Sequence, residues 1–376
     1  MRSLSALVSC FLVSTVPLAG CGGGSGSNSN STSPPPPPPA YTANAKYAYV
    51  VTGSYIDEFS VSTSGQWTQI GKAIGAGAIG GTAIAIDPKY RFLYSIGGGY
   101  ASSEITMFTI DPATGILTPT SPASITIAGL LSQSIAVDGL GRFVYTADTD
   151  TNTVTSLAID QTTGMLTPTS APITASVMAT NGVIADAVGK YVYVEGEYGG
   201  LASYSIDQTT GNLNVVSDYP FMGGGGGFPG IINPAGTYYY AAGGQSSAIS
   251  VVGLNSQTGV LTQVPSGGII QTGQDATSVA LTPDDKYAYI TARSDGNLWT
   301  FTVDPTSGLL TRLGGLVTAG ADYPYQIVVD PGGQLLYVAC LGGSVMNFGI
   351  KTDGTLTPVG SVTTDGSAEG IVLIPR

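Results

Sequence analysis

The sequence contains no histidine. That absence excludes Ser-His-Asp and Cys-His catalytic arrangements, imidazole-held zinc and any imidazole pH switch. A Gly-x-Ser-x-Gly nucleophile elbow is also missing. Charge is scarce, at 10% of residues, and the 12 Lys and Arg are outnumbered by 24 Asp and Glu. A chain of net charge −12 lacks the basic face that a phosphate backbone requires, so nucleic acid is not an expected partner. Cysteine is nearly absent, with three in the chain. Cys10 lies in the N-terminal apolar stretch and Cys21 follows it. Cys340 stands alone in a predicted strand, where it reads as a small buried hydrophobe without a disulfide partner. The one early apolar run, Leu4 to Val16, is too short to span a bilayer as a stable helix.

What is present suits strands and turns. The chain has 376 residues, 43% of them hydrophobic, and 54 glycines. That is long enough for a large core.

Residues 1–20 read as an export signal, with Arg2 as the positive start. The run Leu18-Ala19-Gly20-Cys21 resembles a bacterial lipobox, which implies cleavage before Cys21 and lipid attachment to it. Two acyl chains are what stable anchoring takes. Residues 21–45 read as a tether, Gly-, Ser- and Asn-rich and then Pro34 to Pro39. Six prolines in polyproline II reach about 19 Å. The expected location is therefore outside the cytoplasm on a lipid anchor. Gly22 in place of an aspartate favours the outer membrane if the cell has two.

From residue 46 onward the chain repeats. Tyr49, Tyr94, Tyr145, Tyr193, Tyr240, Tyr289 and Tyr337 each sit in a short apolar strand. Seven residues before the last six stand Asp87, Asp138, Asp186, Asn233, Thr282 and Asp330. The steps between these are 47 to 51 residues, derived by subtracting neighbouring positions. That period, built from short strands, predicts an all-β, seven-bladed β-propeller of four-stranded antiparallel blades over residues 46–376. A second turn recurs as Asp111 to Gly115, Asp160 to Gly164, Asp207 to Gly211, Asn255 to Gly259 and Asp304 to Gly308. Its closing glycine predicts positive φ.

The first strand of each repeat is apolar on both faces, as expected for a sheet sandwiched between neighbours. The first repeat begins at its second strand, while the C-terminus carries a spare strand, Glu369 to Pro375. The C-terminal strand is therefore predicted to complete blade 1 and close the ring, leaving only short edges.

Strand, turn and tyrosine followed by Asp-Pro-x-Thr-Gly-x-Leu-Thr-Pro, best seen at Asp111 to Pro119, resembles the seven-bladed lactonase family. That family includes 6-phosphogluconolactonases and enzymes that form or open carboxymuconolactone. The resemblance implies a site on the channel face. The relatives that cyclise muconate use a histidine, which this chain lacks. A 6-phosphosugar would need several cations on its phosphate, and the predicted face supplies few.

Loops between second and third strands, and between blades, should share that face. They carry Tyr55, Asp57, Tyr100, Glu104, Asp148, Asp150, Glu195, Glu197, Tyr198, Arg293 and Asp295, then Gln133, Asn181, Phe228, Asp275, Tyr323, Tyr325 and Glu369. Lys89, Arg91, Arg142, Lys190 and Lys286 belong to the opposite face. The ligand rim is expected at Tyr55, Tyr100, Asp148, Tyr198, Asp275, Tyr323, Tyr325 and Glu369. For catalysis on a lactone, Glu195 or Glu197 would act as general base and Arg293 would stabilise the oxyanion. The alternative is a rim without chemistry.

Asp148-Thr149-Asp150-Thr151-Asn152 has the alternating oxygens of a calcium loop, but Thr153 and Ile159 replace its glycine and glutamate. Gly223 to Gly227 has no following helix to make a phosphate cradle. No metal or cofactor is expected. The reading is a monomer that binds a small saccharide-like ligand or an envelope protein, with lactone hydrolysis as the alternative.

Overall fold

A computed structural model describes residues 41–74, 81–99, 102–129, 131–220, 229–243, 247–314, 317–318 and 323–376. The export signal, Cys21, Tyr100, Phe228 and Gly223 to Gly227 lie outside the described residues.

Seven antiparallel sheets succeed one another along the chain. Blade 2 is typical, with strands Gly81–Ile86, Phe92–Gly99, Ser102–Ile110 and Leu117–Ile127 in that order. Blade 1 takes its second to fourth strands from Ala45–Thr52, Tyr55–Val61 and Trp67–Ile74, and its innermost strand is Gly370–Pro375. The closing register pairs Tyr49 with Val372 and Val51 with Gly370. Asp330 of blade 7 adds a clasp, since its carboxylate accepts the Asn44 and Ala45 amides at 2.8 Å each.

The hairpin residues found by spacing have a common task. Asp87, Asp138, Asp186, Asn233 and Thr282 each accept, through one side-chain oxygen, the amides four and five residues on. Those amides open the second strand, and a short oxygen-bearing side chain is what reaches them.

The seven tyrosines are buried. The hydroxyls of Tyr49, Tyr94, Tyr145, Tyr240 and Tyr289 donate to the carbonyls of Gly115, Gly164, Gly211, Gly308 and Gly354 in the next blade, at 2.8–3.0 Å. Each such bond stabilises by about 0.5–1.5 kcal/mol net. At two junctions another residue of the same cross-strand pair takes over. Ser203, paired with Tyr193, donates to Gly259, and Asn347, paired with Tyr337, donates to Gly65.

The receiving glycines do more than turn the chain. Gly115, Gly164, Gly211 and Gly259 have φ of 74–77°, and a Cβ there would strike the rings of Tyr47, Phe92, Phe143 and Tyr191. These rings precede the register tyrosine by two residues. Turn and ring therefore lock adjacent blades edge to edge.

The outermost strand is the irregular one. It splits in blade 3 (Leu166–Pro168, Ile173–Thr174), blade 5 (Leu261–Gln263, Ile269–Gln271) and blade 6 (Leu310–Arg312, Val317–Thr318). Interrupted edges resist pairing with other chains. The innermost strands are apolar on both faces as expected, but one reason differs. Val137, Ala185, Ile232 and Val329 are half-buried rather than sandwiched; the first three line a cavity at the inner edge of the sheets.

Candidate functional site

Five innermost strands share a β-bulge at their second residue. The register slips between Gly81 and Ala83, Ser132 and Ser134, Thr180 and Gly182, Ala276 and Ser278, and Pro324 and Gln326. A bulge re-aims the extra side chain. In blades 3, 4, 6 and 7 the extra residues are Gln133, Asn181, Thr277 and Tyr325. Just before the strands of blades 4, 6 and 7, Ala179, Asp275 and Tyr323 hold φ of 53–60°. Left-handed backbone is uncommon outside glycine, and costs of order 1–3 kcal/mol. Each carbonyl so turned accepts an amide from the loop after the second strand, Glu197, Arg293 and Leu341 respectively.

Two of these bulges, at Gln133 and Tyr325, open onto a cavity of about 260 Å³ whose wall comes from six blades. Gln133, Ser134, Ser278, Tyr325, Gln326 and Glu369 give it its polar character. Burial raises the Glu369 carboxyl above its ordinary value, and no cation opposes that. Burial lifts the Tyr325 phenol strongly, and the Glu369 charge adds to it. The Gln326 side-chain oxygen accepts the Ile371 amide, which leaves its NH2 group to donate. Thr277 supports the wall by donating to the Tyr325 carbonyl at 2.7 Å.

The three residues expected to act together occupy different places. Glu195 is fully buried between blades 4 and 5. Its Oε2 accepts Tyr239 Oη at 2.9 Å and the Gly230 amide at 3.2 Å, while Oε1 has no partner among the described residues. Burial raises its pKa to about 8. Across the sheet stands Gly182, where a Cβ would lie 3.1 Å from both Glu195 Cβ and Pro229 Cα. Pro229 lines the cavity, so Glu195 sits one layer behind the wall. Glu197 lies half-exposed in the following loop. Arg293 Nε donates to Asp275 Oδ2 at 2.6 Å, and Ser294 shares that oxygen. No hydrogen bond or ion pair among the described residues joins Glu195, Glu197 and Arg293.

The rim residues divide similarly. Tyr325 and Glu369 line the cavity, and the charges of Arg293 and Asp275 act on the Tyr325 phenol from beside it. Tyr198 and Tyr323 are exposed. Tyr55 carries the Lys72 ammonium over its ring at 3.8 Å, and Lys72 also pairs with Asp365 at 2.9 Å. Asp148 is buried and caps its own loop, accepting Thr151, Leu131 and Ser132. Ser134, Ser278, Gln326 and Lys72 were not among the residues expected from sequence. Gln326 interrupts an apolar strand, a signal that was available. Lys72 reaches Tyr55 through strand pairing, which the sequence did not display.

A model of the lactonase, 7-bladed β-propeller family matches residues 39–180 and 184–372. The chain belongs to the lactonase family. No curated protein matches it. Among solved structures, this lactonase-family propeller resembles a candidate 6-phosphogluconolactonase from Bacteroides uniformis, with a TM-score of 0.77 at 16% identity, over 88% of this chain and 100% of the other. A protein from Lactobacillus plantarum gives 0.75 at 20% identity, over 88% and 99%. The periplasmic gluconolactonase of Pseudomonas aeruginosa gives 0.71 at 18% identity, over 87% and 99%. At such identities the likeness concerns the fold, and the chemistry has to be argued from this propeller's own cavity.

Proposed function

We propose that this propeller binds a small, uncharged, hydroxylated ligand of the sugar-lactone class in its channel cavity, and that it does so outside the cytoplasm on a lipid at Cys21. The observation that carries the ligand class is the cavity wall itself. It offers amides, hydroxyls and one carboxylate, and no Lys or Arg among the lining residues. Such a wall suits ring hydroxyls and repels a phosphate. The lipobox Leu18 to Cys21 and the tether behind it support the address. An exported protein meets unphosphorylated sugars, and the Pseudomonas neighbour is a periplasmic gluconolactonase.

Hydrolysis is the second reading, and Glu369 favours it. A carboxylate lifted above its usual range is a better base toward water. Glu369 would take a proton from water as hydroxide adds to the lactone carbonyl. The ring C–O bond then breaks and the protonated Glu369 returns its proton to the released alkoxide, giving the hydroxy acid and restoring the carboxylate. The amide NH2 groups of Gln133 and Gln326 would stabilise the oxyanion. Glu195 and Arg293 act here as support, one behind the wall and one through Asp275.

The test is titration of the purified protein with D-glucono-1,5-lactone and its 6-phosphate, following both heat and acid release. Saturable binding of the unphosphorylated lactone, weakened about tenfold in Glu369→Gln, supports the reading. Preference for the phosphate refutes it.

A further inference from the structure

Blade 4 departs from the repeat in two ways that meet in a second cavity. This cavity, about 650 Å³, lies at the hairpin-turn end of blades 2 to 5 and shares no lining residue with the channel cavity. Its size is that of small-molecule pockets. Val137, Ile184, Ile232 and Leu254 give it an apolar body.

The first departure is Tyr193. Five of its counterparts spend their hydroxyls on the next blade. Here Ser203 makes that bond at 2.7 Å, and Tyr193 lines the cavity with no hydrogen-bond partner for its hydroxyl among the described residues.

The second departure is Asp186. In blades 2 and 3 the hairpin carboxylate uses Oδ1 for backbone amides and Oδ2 for an arginine, Arg91 or Arg142, at 2.9 Å. In blade 7 both oxygens of Asp330 receive backbone amides. Asp186 keeps the Oδ1 bonds, to Lys190 N at 2.7 Å and Tyr191 N at 3.1 Å. Lys190 replaces the arginine; it lies exposed at the cavity's edge, where its charge acts on Asp186 without an ion pair. No side chain occupies Asp186 Oδ2 among the described residues, and Asp186 lines the same cavity as Tyr193. Burial raises the Asp186 carboxyl, while the Tyr191, Lys190 and Gly189 amides and the nearby Lys190 charge pull the other way.

We propose that this cavity is a binding site for a small amine on an apolar body, its ammonium donating to Asp186 Oδ2 and to the Tyr193 hydroxyl. A carboxylate half-supplied with donors prefers a cation to a neutral alcohol. The apolar wall takes the rest of the molecule.

The neighbouring blade supplies a safe variant. Asn233 occupies the same hairpin position and holds its two amides at 2.8 Å, so Asp186→Asn keeps the turn and removes the charge. The probe is 2-phenylethylamine, compared with 2-phenylethanol and phenylacetate by calorimetry and ligand-observed NMR on the full protein. Saturable amine binding is expected, with the alcohol about tenfold weaker and phenylacetate weaker still. Asp186→Asn should weaken the amine about tenfold and Tyr193→Phe about threefold, with melting curves showing both variants folded. Lactone titration should be untouched in both. The proposal is overturned if the amine does not saturate, if the alcohol binds as well, or if Asp186→Asn leaves amine binding unchanged. Loss of amine binding in Glu369→Gln with retention in Asp186→Asn would place the amine in the channel and also overturn it.

Discussion

Tyr145 and Tyr193 are equivalent in sequence and opposite in consequence. Tyr145 Oη donates to the Gly211 carbonyl at 3.0 Å, fully buried. Replacing Tyr145 with Phe keeps the ring and orphans that carbonyl. An unpaired buried acceptor costs about 1–3 kcal/mol. Tyr193→Phe removes no bond between blades, because Gly259 is held by Ser203. Its cost should fall within about 0.5 kcal/mol of zero. Ser203→Ala should behave like Tyr145→Phe. At about 2 cal/mol/K of unfolding entropy per residue, a chain of this size loses roughly 1–4 °C in melting temperature for the Tyr145 and Ser203 variants. Calorimetry of the three variants under one set of conditions makes the comparison, with urea midpoints as a second probe. The reasoning fails if Tyr193→Phe destabilises as much as Tyr145→Phe, or if Ser203→Ala is neutral.

Other outcomes follow from the same packing. Gly164→Ala should cost about 2–4 kcal/mol by urea denaturation, from a φ of 76° joined to a collision with the Phe92 ring. Ala179→Gly should instead gain up to about 1 kcal/mol by relieving left-handed backbone, read the same way. Glu195 has a folded-state pKa of about 8 against an ordinary 4.5, so the folded state holds its proton while the unfolded state has lost it. Stability should therefore fall as pH rises from about 4.5 to about 8, and the fall should be shallower in Glu195→Gln when melting is followed from pH 5 to pH 9. Asp330→Ala should cost about 2–3 kcal/mol in a urea titration, because the Asn44 and Ala45 amides lose their acceptor at the seam of the ring.

The ring was legible because its determinants are local and periodic. Asp138 caps two amides within its own hairpin, Gly164 turns where a turn is needed, and Tyr145 fills a strand. Closure was legible too, since a strand missing at one end was spare at the other. The site was less so. Glu195 reads as a loop carboxylate, yet it falls inside a strand and one layer behind Pro229. Arg293 reads as an open cation, yet Asp275 holds it from another loop. Bulges at Gln133 and Tyr325 decide which side chains reach the cavity, and a one-residue slip leaves little trace in composition. Tyr325 and Glu369 were found because they stand where blades join.

The central claim is that Glu369 and its uncharged neighbours form a site for an unphosphorylated lactone. Its most direct test is calorimetric titration of the protein and of Glu369→Gln with D-glucono-1,5-lactone and its 6-phosphate. The account predicts saturable binding of the unphosphorylated lactone alone, about tenfold weaker in the variant. Stronger binding of the phosphate, or identical binding by the variant, would contradict it.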